Sequence, residues 1–348
     1  MSKKLKAGDV VEVRTSAEIL ETLDENACVE GLPFMPEMIP FIGRQFTVSK
    51  RAHKTCDTVH QTGGRKLRDC VHLEDLRCDG SGHDGCKATC FLFWKTEWLE
   101  LVSDGREQGS DLTNKNDDSL AALNSLACAA TQESKKSAED ETVYRCQATA
   151  LYDASNKLRW YDLRQYAEDW SSGNTNISQM LRVWFFQGLQ KLMGVGLGYG
   201  VWERLYNKLQ RRVGGYNNPF RAGTVSDGVE TPAITLNLEP GERVRVRSHE
   251  EILATLDRDN KNRGMRFDPE MVPYCGKAFT VQRRVDKIIH ETTGSMIGIK
   301  TASVILDGVV CRSEMSQCRL FCPRAIPSYW REIWLERIDS DQTSSPRG

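Results

Sequence analysis

Two stretches of this chain, LKAGDVVEVRTSAEILETLD at residues 5–24 and LEPGERVRVRSHEEILATLD at residues 238–257, read as versions of one element. Extended without a gap to residues 5–48 and 238–281, they agree at 21 of 44 positions. Unrelated sequences of average composition agree at roughly one position in 16. The excess predicts a tandem duplication. The register continues downstream, where VHLEDLRC at residues 71–78 faces VILDGVVC at 304–311. After a one-residue shift Cys86 and Cys90 face Cys318 and Cys322; at a further shift Trp94 and Trp98 face Trp330 and Trp334.

Periodicity gives each repeat a coarse structure. Val11 and Val13, like Val244 and Val246, alternate with polar residues after a Gly-acid turn, the pattern of a half-buried strand. SAEILETLD and HEEILATLD follow with Ile and Leu at helical spacing, so a short helix is expected. A Pro-rich bend, Pro36 to Pro40 and Pro269 to Pro273, leads into an FTV strand. Two further strands are expected near residues 71–78 and 97–102. Short strands around one turn of helix predict a small, strongly bent barrel.

The GDxVxV strand, followed by Pro-Phe/Tyr-x-Gly-Lys/Arg and a hydrophobic strand, resembles SH3-like barrels of the nitrile hydratase β-subunit type. The whole chain also resembles bacterial tandem-repeat proteins of unassigned function through its GLPFMPEM, LRCDGSGHDGC and YWREIWLER segments. The resemblance implies a β-rich α+β fold of two SH3-like barrel modules, and it implies no activity. Module A is expected over residues 1–102 and module B over 236–340.

Between them residues 103–143 are polar and almost free of aromatics, which predicts a disordered, flexible linker with one weak helix. Residues 144–222 carry Trp160, Trp170, Trp184 and Trp202 on a mostly helical pattern and read as a helical insert. Within its apolar segment, residues 181–206, the run Val183–Val201 is only just long enough for a transmembrane helix. Gln187, Gln190 and Lys191 near its centre oppose a lipid-exposed span. A buried pair of short helices is expected, with an interfacial membrane segment as the alternative. GVGLGYG lacks the G-x-G-x-x-G spacing of a dinucleotide site, so no cofactor of that class is expected.

Over 348 residues, 39% hydrophobic and 27% charged, a formal charge of −1 gives no specific nucleic-acid signal. The first residues lack the apolar core of a secretory signal, so a mature chain starting at or near Met1 and a cytoplasmic address are expected. Peripheral membrane association is the companion expectation. In a reducing compartment, clustered cysteines more often hold metal than pair.

The chain has 12 Cys and 6 His, and half of these eighteen fall within residues 53–90: His53, Cys56, His60, Cys70, His72, Cys78, His83, Cys86 and Cys90. Cys86 and Cys90 at i,i+4 point the same way on a helical turn. The glycine-rich DGSGHDG segment can fold Cys78 back onto them, and Cys56 would arrive from a neighbouring strand. Cys56, Cys78, Cys86 and Cys90 then form a four-thiolate site for structural zinc, with His83 or His72 able to replace one cysteine. An iron–sulfur cluster is the alternative occupant. Buried structural cysteines and a redox dithiol are the competing readings of the same residues. In the second repeat Cys311, Cys318 and Cys322, with His290 beside the position of Cys56, make a weaker second site. Cys28, Cys128 and Cys146 lack ligand-like company and read as structural or exposed. Glu37/Glu270 and Asp24/Asp257 read as capping residues. No P-loop, nucleophile elbow or HExxH is present, and catalytic residues are unassigned. The expectation is a metal-stapled scaffold or accessory protein that meets a protein partner or a membrane surface. A metalloenzyme or iron–sulfur redox protein with an unknown small-molecule substrate is the competing class. A peripheral membrane-anchored binding protein is the third.

Overall fold

A computed structural model describes residues 4–102, 117–133, 142–194, 199–315 and 319–338. The chain is mixed α+β, its sheets antiparallel. It divides into two compact units. Within the described residues, the first takes residues up to Met180 with Lys287–Ile297 and the stretch 319–325. The second takes 181–286, 298–315 and 326–338. Two short segments of the second repeat therefore belong to the first unit.

In the first unit a five-stranded sheet runs in the order Trp94–Lys95, Cys70–Leu73, Gln45–Arg51, Val10–Val13, Leu99–Leu101. Val11 pairs with Phe46 on one side and Leu101 on the other. Alternation sends Val11 and Val13 fully inside. The helix Ser16–Thr22 opens with a capping box between Thr15 and Glu18, which fixes where the chain turns. The 3-10 helix Pro36–Phe41 starts with proline at a position where the missing N–H costs nothing. Trp94 and Trp98 are fully buried, each edge-on to Phe34, and the Trp98 indole donates to Thr22 Oγ1 at 3.1 Å. Removing either ring would cost about 3–5 kcal/mol.

The second unit carries a sheet of the same order: Pro327–Arg331, Ser303–Val310, Ala278–Arg284, Arg243–Val246, Leu335–Arg337. Its helix His249–Leu253 has the matching capping box, Ser248 with Glu251. Trp330 and Trp334 are fully buried, and the Trp334 indole donates to Thr255 Oγ1 at 3.0 Å. The register shift between Val281 and Arg283 stands where the first sheet shifts between Val48 and Lys50.

Two regions differ from the sequence expectation. Within the polar stretch 103–143, the helix Asp117–Thr131 buries Leu123 and Ala127, and Leu123 belongs to the core of the first unit. Two apolar side chains at i,i+4 suffice to dock an otherwise polar helix. The insert contains a strand, Asn156–Leu158, which completes a three-stranded sheet with Gly64–Lys66 and Lys54–Cys56.

The apolar segment forms two helices, Ile177–Gly194 and Tyr199–Arg212; residues 195–198, with Gly196 and Gly198, lie outside the described residues. Phe186, Leu189 and Met193 pack on Tyr206. Gln187 Nε2 donates to the carbonyls of Glu314 and Met315 at 2.7 and 3.0 Å, which satisfies its donors within the protein. No helix among the described residues is long and apolar enough to cross a membrane. Leu181, Phe185, Leu192 and Val201 are exposed.

Candidate metal centre

The loop after strand Cys70–Leu73 is closed at its neck by an isolated antiparallel bridge between Arg77 and Phe91. Cys78 N–H donates to Cys90 O at 2.8 Å, and the Arg77 guanidinium lies over the Phe91 ring. Glycine makes the fold of this loop. Gly80 has φ +84, and a Cβ there would stand 2.2 Å from Cys86 O. His83 and Gly85 N–H both donate to the Gly80 carbonyl. The DGSGHDG segment thus curls on itself and turns His83 inward, where it is 2% exposed.

Glu37, near the start of the 3-10 helix, faces this loop. Its Oε1 accepts from Gly82 N–H at 3.0 Å, lies 2.8 Å from His83 Nδ1, and is 3.7 Å from Cys78 Sγ. Cys78 Sγ is 3.6 Å from His83 Nε2. A Cβ on Gly82 would press on Pro36 and the Glu37 carboxylate, so glycine permits the approach. The donor atoms of Glu37, Cys78 and His83 all lie within 4.8 Å of one another, and this group can hold a metal ion. Glu37 is therefore no mere capping residue: its carboxylate is buried against an imidazole and a thiol.

Burial and the contacts among these groups set their charge states. Burial pushes the Glu37 carboxyl up, but the bond and charge of His83 outweigh it and hold the group below its usual range. Burial likewise opposes protonation of His83, and bonding to Cys86 and Glu37 overcomes it, raising the imidazole to about 9. Cys86 is lowered despite burial, through bonding to His83 and the N–H groups of Ala88 and Ile289. The Ile289 N–H stands 3.4 Å from its sulfur. Burial drives Cys78 well above an ordinary thiol, with the Glu37 charge adding to it. Burial also pushes Cys90 up to about 12 and Cys146 up to about 11.

Cys146 is the residue that spacing missed. It precedes the helix Gln147–Ala150 and shares the first core with Cys86 and Cys78. Its charge bears on Cys78 and Cys90, and that of Cys86 bears on it. Cys78 and Cys86 thus contact His83, and Cys90 and Cys146 act on these thiols through their charge.

Other expected ligands lie elsewhere. Cys56 ends the strand Lys54–Cys56 and bonds the Cys322 thiol, so the four-cysteine set with Cys78, Cys86 and Cys90 is not brought together. His72 is fully buried, its Nδ1 3.0 Å from Leu92 O and its ring against Phe91 and Phe93. Burial lowers it to about 3, which makes it a neutral core histidine. Cys70, on the same strand, donates to Arg68 O. His53 lies 3.3 Å from Asp169 Oδ1, and His60 packs on Tyr152. In the second repeat, Cys311 stands 3.5 Å from Ser313 Oγ in the second unit. Exposed His290 has Nδ1 3.0 Å from Thr293 Oγ1, in the first unit with Cys322. Cys318 lies outside the described residues.

No protein-family model, curated protein or solved structure matches this chain.

Proposed function

We propose that the chain is a metal-stapled scaffold or accessory protein whose first unit is held by one structural zinc ion. The observation that carries this is the buried Glu37, Cys78 and His83 group. A tetrahedral ion with ordinary zinc–sulfur and zinc–nitrogen bonds separates its sulfur and nitrogen donors by about 3.5 Å. Cys78 Sγ and His83 Nε2 are 3.6 Å apart. Glu37, on Nδ1, occupies the place of the carboxylate that orients a metal-bound histidine. Cys78, His83 and Cys86 supply three donors, and Cys90 and Cys146 compete for the fourth. A closed, buried donor set suits a structural ion better than a catalytic one, which keeps a position open to water. Iron–sulfur ligation remains the alternative occupant of the same thiols.

The reading extends to the architecture. The shared strand order and the paired Trp–Thr bonds support two SH3-like barrels born of a tandem duplication. The first corresponds to residues 1–102 and the second to 236–340. A cytoplasmic address fits the reduced cysteines such a site needs. The exposed Leu181, Phe185, Leu192 and Val201 favour a second reading, in which this helix pair meets a membrane surface. Flotation with anionic vesicles tests that reading: binding that Phe185→Ser/Val201→Ser abolishes supports it, and absence of binding rejects it. For the metal, elemental analysis of Cys90→Ser and Cys146→Ser tests the ligand set. Loss of zinc in one variant alone names the fourth donor. Full occupancy after removing both would overturn the cysteine-rich site.

A further inference from the structure

The first unit contains a second pair of thiols that the metal reading leaves unused. Lys54 Nζ donates to Leu320 O at 2.8 Å and pairs with Asp169 at 2.6 Å, which docks the stretch 319–325 on the strand Lys54–Cys56. Arg324 fastens the same stretch a few residues on, donating to Thr58 Oγ1 and Glu291 Oε1 at 2.9 Å each. Between these clamps the thiols of Cys56 and Cys322 meet in a hydrogen bond, both residues 5% exposed and neither in a disulfide.

We propose that Cys56 and Cys322 are a peroxide-responsive dithiol that closes reversibly to a disulfide. Its surroundings are rich in positive charge. Arg324 and Arg319 act on Cys56 and Lys54 acts on Cys322, and Arg324 also reaches Cys90. Positive groups stabilise a thiolate nucleophile and repel a metal ion. The bond from Cys322, aided by the two arginines, brings Cys56 down to about 6 against the upward push of burial. Burial pushes Cys70, which has no thiol partner, up to about 12 even though Lys95 and Arg51 act on it.

Burial excludes bulky disulfides and admits a small oxidant, so hydrogen peroxide is the co-reactant. The Cys56 thiolate attacks one peroxide oxygen; an S–O bond forms and the O–O bond breaks. The departing hydroxide takes up the proton that Cys56 released on ionising and leaves as water. Cys322 sulfur then attacks the Cys56 sulfenic sulfur, the S–S bond forms, and the S–O bond breaks. The hydroxide leaves with the Cys322 proton as a second water. Two thiols lose two electrons and peroxide gains them. A small dithiol reverses the step by exchange.

The test uses the full chain, reduced and then treated with one equivalent of hydrogen peroxide, alkylated, digested and read by mass spectrometry. The expected result is a Cys56–Cys322 linked peptide, a loss of two alkylatable thiols, and full recovery with dithiothreitol. Cys322→Ser should leave Cys56 as a sulfenic acid trapped by dimedone. The same link should form in Cys78→Ser, which keeps this proposal separate from the metal reading. Cys56 still fully alkylatable while exposed Cys128 is oxidised would overturn it, with no variant needed. So would protection of Cys56 that a metal chelator removes.

Discussion

The two cysteine loops sit on matching scaffolds and do different things. In the first, Glu37 reaches from its 3-10 helix to Gly82, His83 and Cys78. In the second, Glu270 reaches from the 3-10 helix Pro269–Tyr274 and accepts from Met315 N–H at 2.6 Å, with no histidine in the loop. Cys311 there faces Ser313. The carboxyls diverge accordingly. Burial raises Glu270 against the backbone bonds it accepts, while His83 and its charge keep Glu37 low. The buried glutamate is thus a loop anchor in both segments, and one histidine makes the first anchor part of a group that could hold a metal ion.

The largest way to break this contrast is to remove donors. Cys78→Ser with His83→Ala should empty the site and cost about 5 kcal/mol or more in urea unfolding under metal-replete conditions. Cys311→Ser should cost about 1 kcal/mol. Next comes the loop itself. Gly80→Ala puts a Cβ into the Cys86 carbonyl at φ +84 and should cost roughly 3 kcal/mol or more. Gly264→Ala, at φ +80 with nothing within 4 Å, should cost only about 1 kcal/mol by the same measurement.

A third contrast lies at His72, which faces Ile305 in the repeat. The folded histidine stays neutral down to about pH 3, against an ordinary value of 6.5. Between those values the unfolded chain binds the extra proton, so stability falls as pH falls. The loss approaches 1.4 kcal/mol per unit, or about 2 kcal/mol by pH 5. His72→Phe should flatten that slope in a pH series of thermal melts, and an unchanged slope would move the proton elsewhere. The smallest effect separates the glutamates. Glu37→Gln should weaken zinc about 10- to 100-fold in competition with a chromophoric chelator. Glu270→Gln should leave metal content unchanged and shift stability by under about 1 kcal/mol.

Much of the scaffold was legible because it is written twice. The alternating valines, the Thr15/Glu18 and Ser248/Glu251 caps and the paired tryptophans each carry a local signature. The curling of DGSGHDG around Gly80 followed from its glycines. What escaped depended on packing between distant segments. Cys146 reaches the cluster through core contacts that no spacing encodes. Cys56 meets Cys322 because the stretch 319–325 docks on its strand. Glu37 looked like a capping acid because proline flanks it. It recurs as Glu270, but inside a Pro-Glu-Met run identical in both repeats, so recurrence alone did not single it out. His72 drew attention as a ligand, yet Val71 and Leu73 on the same strand are also buried, which marks a strand covered on both faces.

The central claim is a zinc ion held at Cys78 and His83. It is tested most directly by elemental analysis with a visible spectrum on anaerobically purified protein, beside Cys78→Ser/His83→Ala. The account predicts about one equivalent of colourless zinc in the parent protein and none in the variant. A folded, stable parent protein free of metal would contradict it.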